Sequence, residues 1–312
     1  MTTADKLNKL LQTKERIKQA IIYKGVDIPD GTTFAEYPNK ISEIVTGGEE
    51  TDDFFNIRTS NGTNMRGLFY GYNGSTLNVS TIDTSRISDM SSMFYTCEQL
   101  TSLNLRNFNT RNVTNMNYMF YGCQQLTSLD LSNFDTSNVT RMVYIFYGCR
   151  SLPSLDVSNF DTSRIADMSG IFSYCQSLSS LDVSSWETYN VMNMSDVFNS
   201  CENLTELDLS NWDISNVSYM GMMFYRCAKL ETLDIRNFDM TNVNYAGNFL
   251  DGCNALTELR LDNCNYTTIN KIITSNNFPT GACTSGNPRY IYCQQANASG
   301  LTAPDGWSFI YV

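Results

Sequence analysis

Residues 126–151 read LTSLDLSNFDTSNVTRMVYIFYGCRS, and this 26-residue pattern recurs along the chain. Cysteine marks the period at Cys97, Cys123, Cys149, Cys175, Cys201, Cys227 and Cys253. A disulfide framework or a zinc site would not place one cysteine per fixed interval, whereas an internal repeat does. Leu100, Leu126, Leu152 and Leu178 keep the same spacing, as do Leu103, Leu129, Leu155 and Leu181. An aromatic column (Phe108, Phe134, Phe160, Trp186, Trp212, Phe238), a methionine column from Met90 to Met220 and a phenylalanine column from Phe94 to Phe224 follow. The L-D-L alternation predicts a short strand with its leucines inward. N-F-D-T-S-N is rich in turn formers. Met116 and Phe120, four apart, predict one helical or 3₁₀ turn facing the core. No single unit can bury its apolar side alone, so the units must stack. The expected fold class is an α/β repeat solenoid of about eight coils, roughly 35 Å long at a strand spacing of about 4.8 Å.

Outward from the repeats, four regions are expected. Residues 1–46 form a helical attachment or oligomerisation segment, with Leu7, Leu10, Leu11, Ile17 and Ile21 on one helical face. A helix of that length with so narrow a stripe must dock on something. Residues 47–53 are an acidic linker. Residues 54–264 are the repeat region, its first coil degenerate and out of register by about one residue. Residues 265–312 are a small C-terminal cap, with a short helix over Thr268–Ser275 and strands over Arg289–Cys293 and Trp307–Val312. Terminal units of a stack must shield its open end from edge-to-edge pairing.

Composition narrows the function classes. The 312 residues suffice for one large domain or two to three ordinary ones. Apolar residues make up 42% and charged residues 17%, so the chain can bury a core. The net charge of −11 argues against nucleic acid and against an anionic membrane surface as partners. With no histidine, Ser-His-Asp and Cys-His sites, histidine-bound metals and imidazole acid–base chemistry are all excluded. No apolar run approaches a membrane span, and the charged N-terminus has no apolar signal core. The C-terminal WSFIYV carries no anchor motif.

The columns that could carry chemistry each have a plainer reading. The cysteine ladder could be a redox or metal device, or simply small buried side chains. Cys264, Cys283 and Cys293 match no compact ligand spacing. Asp130, Asp156, Asp182, Asp208 and Asp234 take the outward strand position, where stacked carboxylates repel. A second row, Asp135, Asp161, Glu187, Asp213 and Asp239, opens the turn. Such rows could hold calcium or a cationic partner; alternatively they cap local amides or are solvated. Tyr95, Tyr121, Tyr147 and Tyr225 form a partial aromatic stripe suited to carbohydrate or protein recognition, or to edge packing. Asn107, Asn133, Asn159, Asn211, Asn237 and Asn263 fit amides bonding the backbone of adjacent coils. Nothing singles out a carboxylate pair for glycoside hydrolysis. Neither an enzyme nor a cofactor is expected.

The unit LTSLDLSNFDTSNVT followed by the spaced Met, Phe and Cys resembles the repeats of BspA-like leucine-rich-repeat proteins, over about residues 77–264. That resemblance implies a right-handed solenoid and a role in surface adhesion, with no catalytic residues. The stretch LLQTKERIKQAIIYKGVDIPDGTTFAEYPNKISEI is similar to the leader of tailed-phage structural and tail-fibre proteins. Together the two imply a virion appendage, either a fibre or a decoration protein. Residues 1–46 would dock on other virion proteins or on copies of themselves, so a homo-oligomer is expected. The solenoid would contact a host glycan or protein. A bacterial cell-surface adhesin and an inert spacer are the alternatives.

Overall fold

The computed structural model describes residues 63–80, 82–280, 283 and 286–312. The docking-helix residues Leu7, Leu10, Leu11, Ile17 and Ile21, and the linker at 47–53, lie outside these.

Asn64, Asp89, Asn115, Arg141, Asp167, Asn193, Tyr219 and Tyr245 mark eight successive levels of a repeat fold, with parallel bridges through one corner from Asn64 to Arg141 and again from Asp167 to Tyr245. The first interval is 25 residues, so Tyr72 stands where later levels carry the cysteine. That is the one-residue slip read from the sequence. Phe69 still stacks on Phe94 at 5.5 Å, so the core row is unbroken.

The Met–Phe segment is not helical. It is a run of overlapping turns that alternately bond inward and onward. Met119, Tyr121 and Cys123 donate their N–H groups to the carbonyls three residues back. Met116, Tyr118, Phe120 and Gly122 donate instead to Arg141, Val143, Ile145 and Tyr147 of the next level, at 2.7–3.0 Å. Positive φ at Tyr118 and Gly122, repeated at Tyr144 and Gly148, turns every other N–H along the stack. An α-helix would have spent those donors within its own level. The segment is therefore a sheet-like ladder built from turns, and no level of the repeat contains an α-helix.

Strands are also scarcer than one per level. β1 (Thr76–Leu77) and β2 (Ser102–Leu103) pair in parallel. β3 (Glu206–Asp208), β4 (Thr232–Asp234) and β5 (Glu258–Arg260) form a second parallel sheet in 26-residue register. Between them, residues 128–130, 154–156 and 180–182 form no strand. Pro153 contributes to this, since it has no N–H for the ladder. Leu129 and Leu181 are only partly buried, a departure from the inward position expected of them, whereas Leu155 in the proline's own level stays buried.

The cap matches its expectation closely. α1 (Tyr266–Ile273) is capped by Asn265, whose side chain accepts from the Thr268 N–H. β6 (Arg289–Cys293) and β7 (Trp307–Tyr311) extend the second sheet, giving the order β3-β4-β5-β6-β7. Buried Arg289 binds the Pro279 and Asn254 carbonyls at 2.8 Å and lies 5.4 Å from the Trp307 ring centre. It thus ties the last strands to the stack.

The core is the sum of the apolar columns. Phe94, Phe120, Phe146, Phe172, Phe198 and Phe224 stack nearly parallel with centres 5.6–5.8 Å apart. Phe146 is completely buried between two copies of itself. Truncation to alanine should cost about 3–5 kcal/mol. Leu181→Ala should cost clearly less, because its site is half open. Denaturant unfolding of the two variants checks the order, and equal losses would contradict this placement of the two side chains.

Candidate functional site

The aspartate columns are turn caps. Asp130 accepts from the Ser132 N–H and hydroxyl at 3.1 and 2.7 Å, and Asp156 does the same with Ser158. Asp182 and Asp208 accept the N–H of Ser184 and Ser210. In the turn row, Asp135, Asp161, Asp213 and Asp239 cap residues 137, 163, 215 and 241 in the same way. A third corner uses Asp89, Asn115, Asp167 and Asn193 for Ser91, Asn117, Ser169 and Ser195. Most levels are thus bent at their corners by Asx side chains satisfying the N–H two residues on.

This arrangement sets the charge state of the carboxylates. Bonds from serine hydroxyls, then from serine amides, hold Asp130, Asp135, Asp156 and Asp182 below the ordinary carboxylate range. Thr241 does so for Asp239. Burial pushes Asp196 the other way, partly offset by the Asn199 amide at 2.7 Å.

Of the outward column, Asp156, Asp182, Asp208 and Asp234 share a groove of about 760 Å³ floored by Leu155, Leu181 and Leu207. Asp130 stands apart from it, with Arg106 at 3.6 Å and both side chains largely in water, an ion pair of small worth. At the C-terminal end the column ceases to be acidic. Arg260 takes the aspartate position opposite Asp234. Arg236, Asp234, Arg260 and Asp262 then form a compact square of alternating charge.

The tyrosine stripe is an internal stack. Tyr70, Tyr95, Tyr121 and Tyr147 lie face to face with centres 4.4–4.8 Å apart. Tyr118 and Tyr144 stack alongside at 5.7 Å. Ring faces used in this way are closed to a sugar, and only edges and hydroxyls emerge. Tyr225 is outside the stack, where the Arg226 guanidinium covers it at 5.1 Å.

The cysteine ladder is structural. All ten cysteines are buried, and none forms a disulfide among the described residues. In the ladder each sulfur donates to the carbonyl of a core phenylalanine one level back, at 3.0–3.3 Å. Burial is the main reason the Cys149, Cys175, Cys201, Cys227 and Cys253 thiols titrate high, Cys175 at about 12. The aromatic column repeats the device. The indole N–H groups of Trp186 and Trp212 bond Val157 and Val183, and Cys264 replaces a tryptophan by bonding Ile235.

Two further columns carry structure that the sequence reading passed over. Thr84, Thr110, Thr136, Thr162 and Thr188 are buried, and each hydroxyl donates to a carbonyl in the next level. Asn112, Asn138, Asn190, Asn216 and Asn242 each donate to a carbonyl one level back, as the expected row through Asn133, Asn159 and Asn237 also does. The signal for the threonines was their strict period beside the turn aspartates.

A family model described as "Mycoplasma protein of unknown function, DUF285" matches residues 63–155 and again 152–263. The two matches abut and span most of the eight levels. The chain belongs to the DUF285 family. The second match ends at residue 263, three residues before α1. No curated protein matches the chain. Among the described residues no helix is long and apolar enough to cross a membrane.

Two measurements test these assignments. Because the capping carboxylates titrate low in the folded chain, their stabilisation is complete above the unfolded value of about 3.9. It is lost as pH falls through the folded values. The melting midpoint should therefore drop below about pH 4. Asp182→Asn, which keeps an accepting oxygen, should melt close to the parent and above Asp182→Ala. A thiol reagent at pH 8 should label no ladder cysteine until the chain is unfolded; rapid native labelling would refute a purely structural ladder.

Proposed function

We propose that this chain is a non-catalytic adhesion protein of a virion. In this reading the stack is a right-handed leucine-rich-repeat solenoid of the BspA-like kind. Residues 1–46 attach it to a tailed-phage particle as a fibre or decoration protein, and copies self-associate through Leu7, Leu10, Leu11, Ile17 and Ile21. The observation that supports adhesion over catalysis is the fate of the polar side chains. Carboxylates, amides, hydroxyls and thiols are engaged in holding the backbone. What projects from the stack are large contact residues, including Tyr189, Met192, Tyr219 and Tyr245. Several copies per particle would multiply individually weak contacts with a host glycan or protein. The leader-like sequence of the first 46 residues supports the virion part.

A cell-surface adhesin is the second reading. The family description favours it, since it was drawn from a cellular bacterium. Antibody labelling separates the two: label on purified particles is expected, and label confined to intact uninfected cells would overturn the virion assignment. Particles that carry the label while the protein binds no cells would indicate a spacer. Light scattering of the full chain should give an oligomer that falls to monomer when Leu10 and Leu11 are both changed to Asp.

A further inference from the structure

The third corner departs from its own rule at three places, and only at Arg141 is the amide two residues on still met by a side chain, the Val143 N–H donating to Asn117 Oδ1 at 2.9 Å. Asp89, Asn115, Asp167 and Asn193 each cap the N–H two residues on, at 2.9–3.1 Å. The next two residues in that column are Tyr219 and Tyr245, bridged in turn to Asn193 and to one another. A phenol oxygen, at the far end of its ring, cannot reach back to that amide. Among the described residues no side-chain oxygen accepts from Gly221 or Gly247, the positions those caps would serve. Two levels thus give up a corner bond for rings that remain 52% and 51% exposed. Capping does not account for them, and a local rule given up for rings that stay half exposed points to function.

The Tyr245 ring packs on glycine as Tyr144 does on Gly170, but among the described residues no second ring stacks on it as Tyr118 does on Tyr144. A Cβ on Gly221 would come within 2.3 Å of the Tyr245 Cε1, and one on Gly247 within 2.6 Å of its hydroxyl. The ring therefore lies across glycine backbone with its other side open. Met192, 59% exposed, is one level back, its carbonyl accepting the Tyr219 N–H at 3.3 Å.

We propose that Tyr219, Tyr245 and Met192 form a stacking site for a neutral pyranose glycan. The inference rests on the adhesion reading and gives it a location and a ligand class. The polarised C–H groups on one face of a pyranose fit the electron-rich face of a phenol, and a flexible thioether moulds to the ring edge. The net charge of −11 disfavours acidic sugars. Size excludes a protein footprint. Three half-exposed side chains offer roughly 300 Å², against about 800 Å² per partner in a stable protein interface. That area suits one or two sugar rings.

Affinity electrophoresis of the full chain in gels containing dextran, mannan or galactan tests the site. At least one polysaccharide should retard the protein. The double variant Tyr219→Asn/Tyr245→Asn should lose at least tenfold in apparent affinity while melting higher, because asparagine restores both caps. Tyr121→Ala, in the closed stack, should melt lower yet keep its retardation. The site is overturned if none of the three gels retards the protein, or if the double variant is retarded as before. Labelled-protein binding to cells separates this from the broader reading. Cell binding that survives in the double variant, or that protease treatment of the cells abolishes, removes the glycan site and leaves adhesion standing. Absence of cell binding removes adhesion itself.

Discussion

Everything in this fold follows from one requirement: a level with almost no helix or strand of its own must find partners for its backbone in the levels on either side. Buried N–H and C=O groups cannot be left unmet. The turn ladder supplies half of the answer, sending alternate amides onward to the next level. Side chains supply the rest. Threonine hydroxyls reach forward, while asparagine amides, indoles and thiols reach back. Aspartates close the corners within a level. The repeat is strict because each column serves a backbone atom that recurs at the same place.

The apolar columns depend on that frame. Phenylalanines can stack because the ladder sets neighbouring levels at a fixed spacing. The thiols fill the remaining space beside them and still meet a carbonyl. Where no strand forms, at residues 128–130, 154–156 and 180–182, two of the three leucines, Leu129 and Leu181, are only partly buried. At the C-terminal end the frame changes material. The threonine row gives way to Ile214 and Met240, the aspartate row to Arg260, and regular strands take over through β7.

Much of this was legible in the residues. The period, the inward columns, the slip in the first level and the cap's helix and strands could all be read, because apolar spacing and turn chemistry report directly on them. The Met116–Phe120 segment could not. A spacing of four puts two side chains on one side of a helix and equally on one side of a run of turns with left-handed residues between them. Leu181 misled because most of its column is buried, Leu129 being the other member left partly exposed, and the repeat spacing is the same at every level. The outward aspartates and the stripe of Tyr95, Tyr121 and Tyr147 were rightly seen as columns, but their work is internal, as caps and as a ring stack. Tyr219 and Tyr245 went unnoticed for the opposite reason. They interrupt a column of Asp and Asn, and an interruption has no period to reveal it.

The near-constant distance between partners shapes how such a chain comes to be. The thiol bonds span 28 or 29 residues and the corner pairings 25 or 26, whichever level is considered. No contact of this kind waits for a distant part of the chain. As the polypeptide leaves the ribosome, each new turn can settle on the one just formed, and the growing end always offers the same template. Assembly then resembles crystal growth in one dimension, with the cost of nucleation met once and every later layer added locally. The last strands, β6 and β7, end the growth with a layer that no longer matches the template.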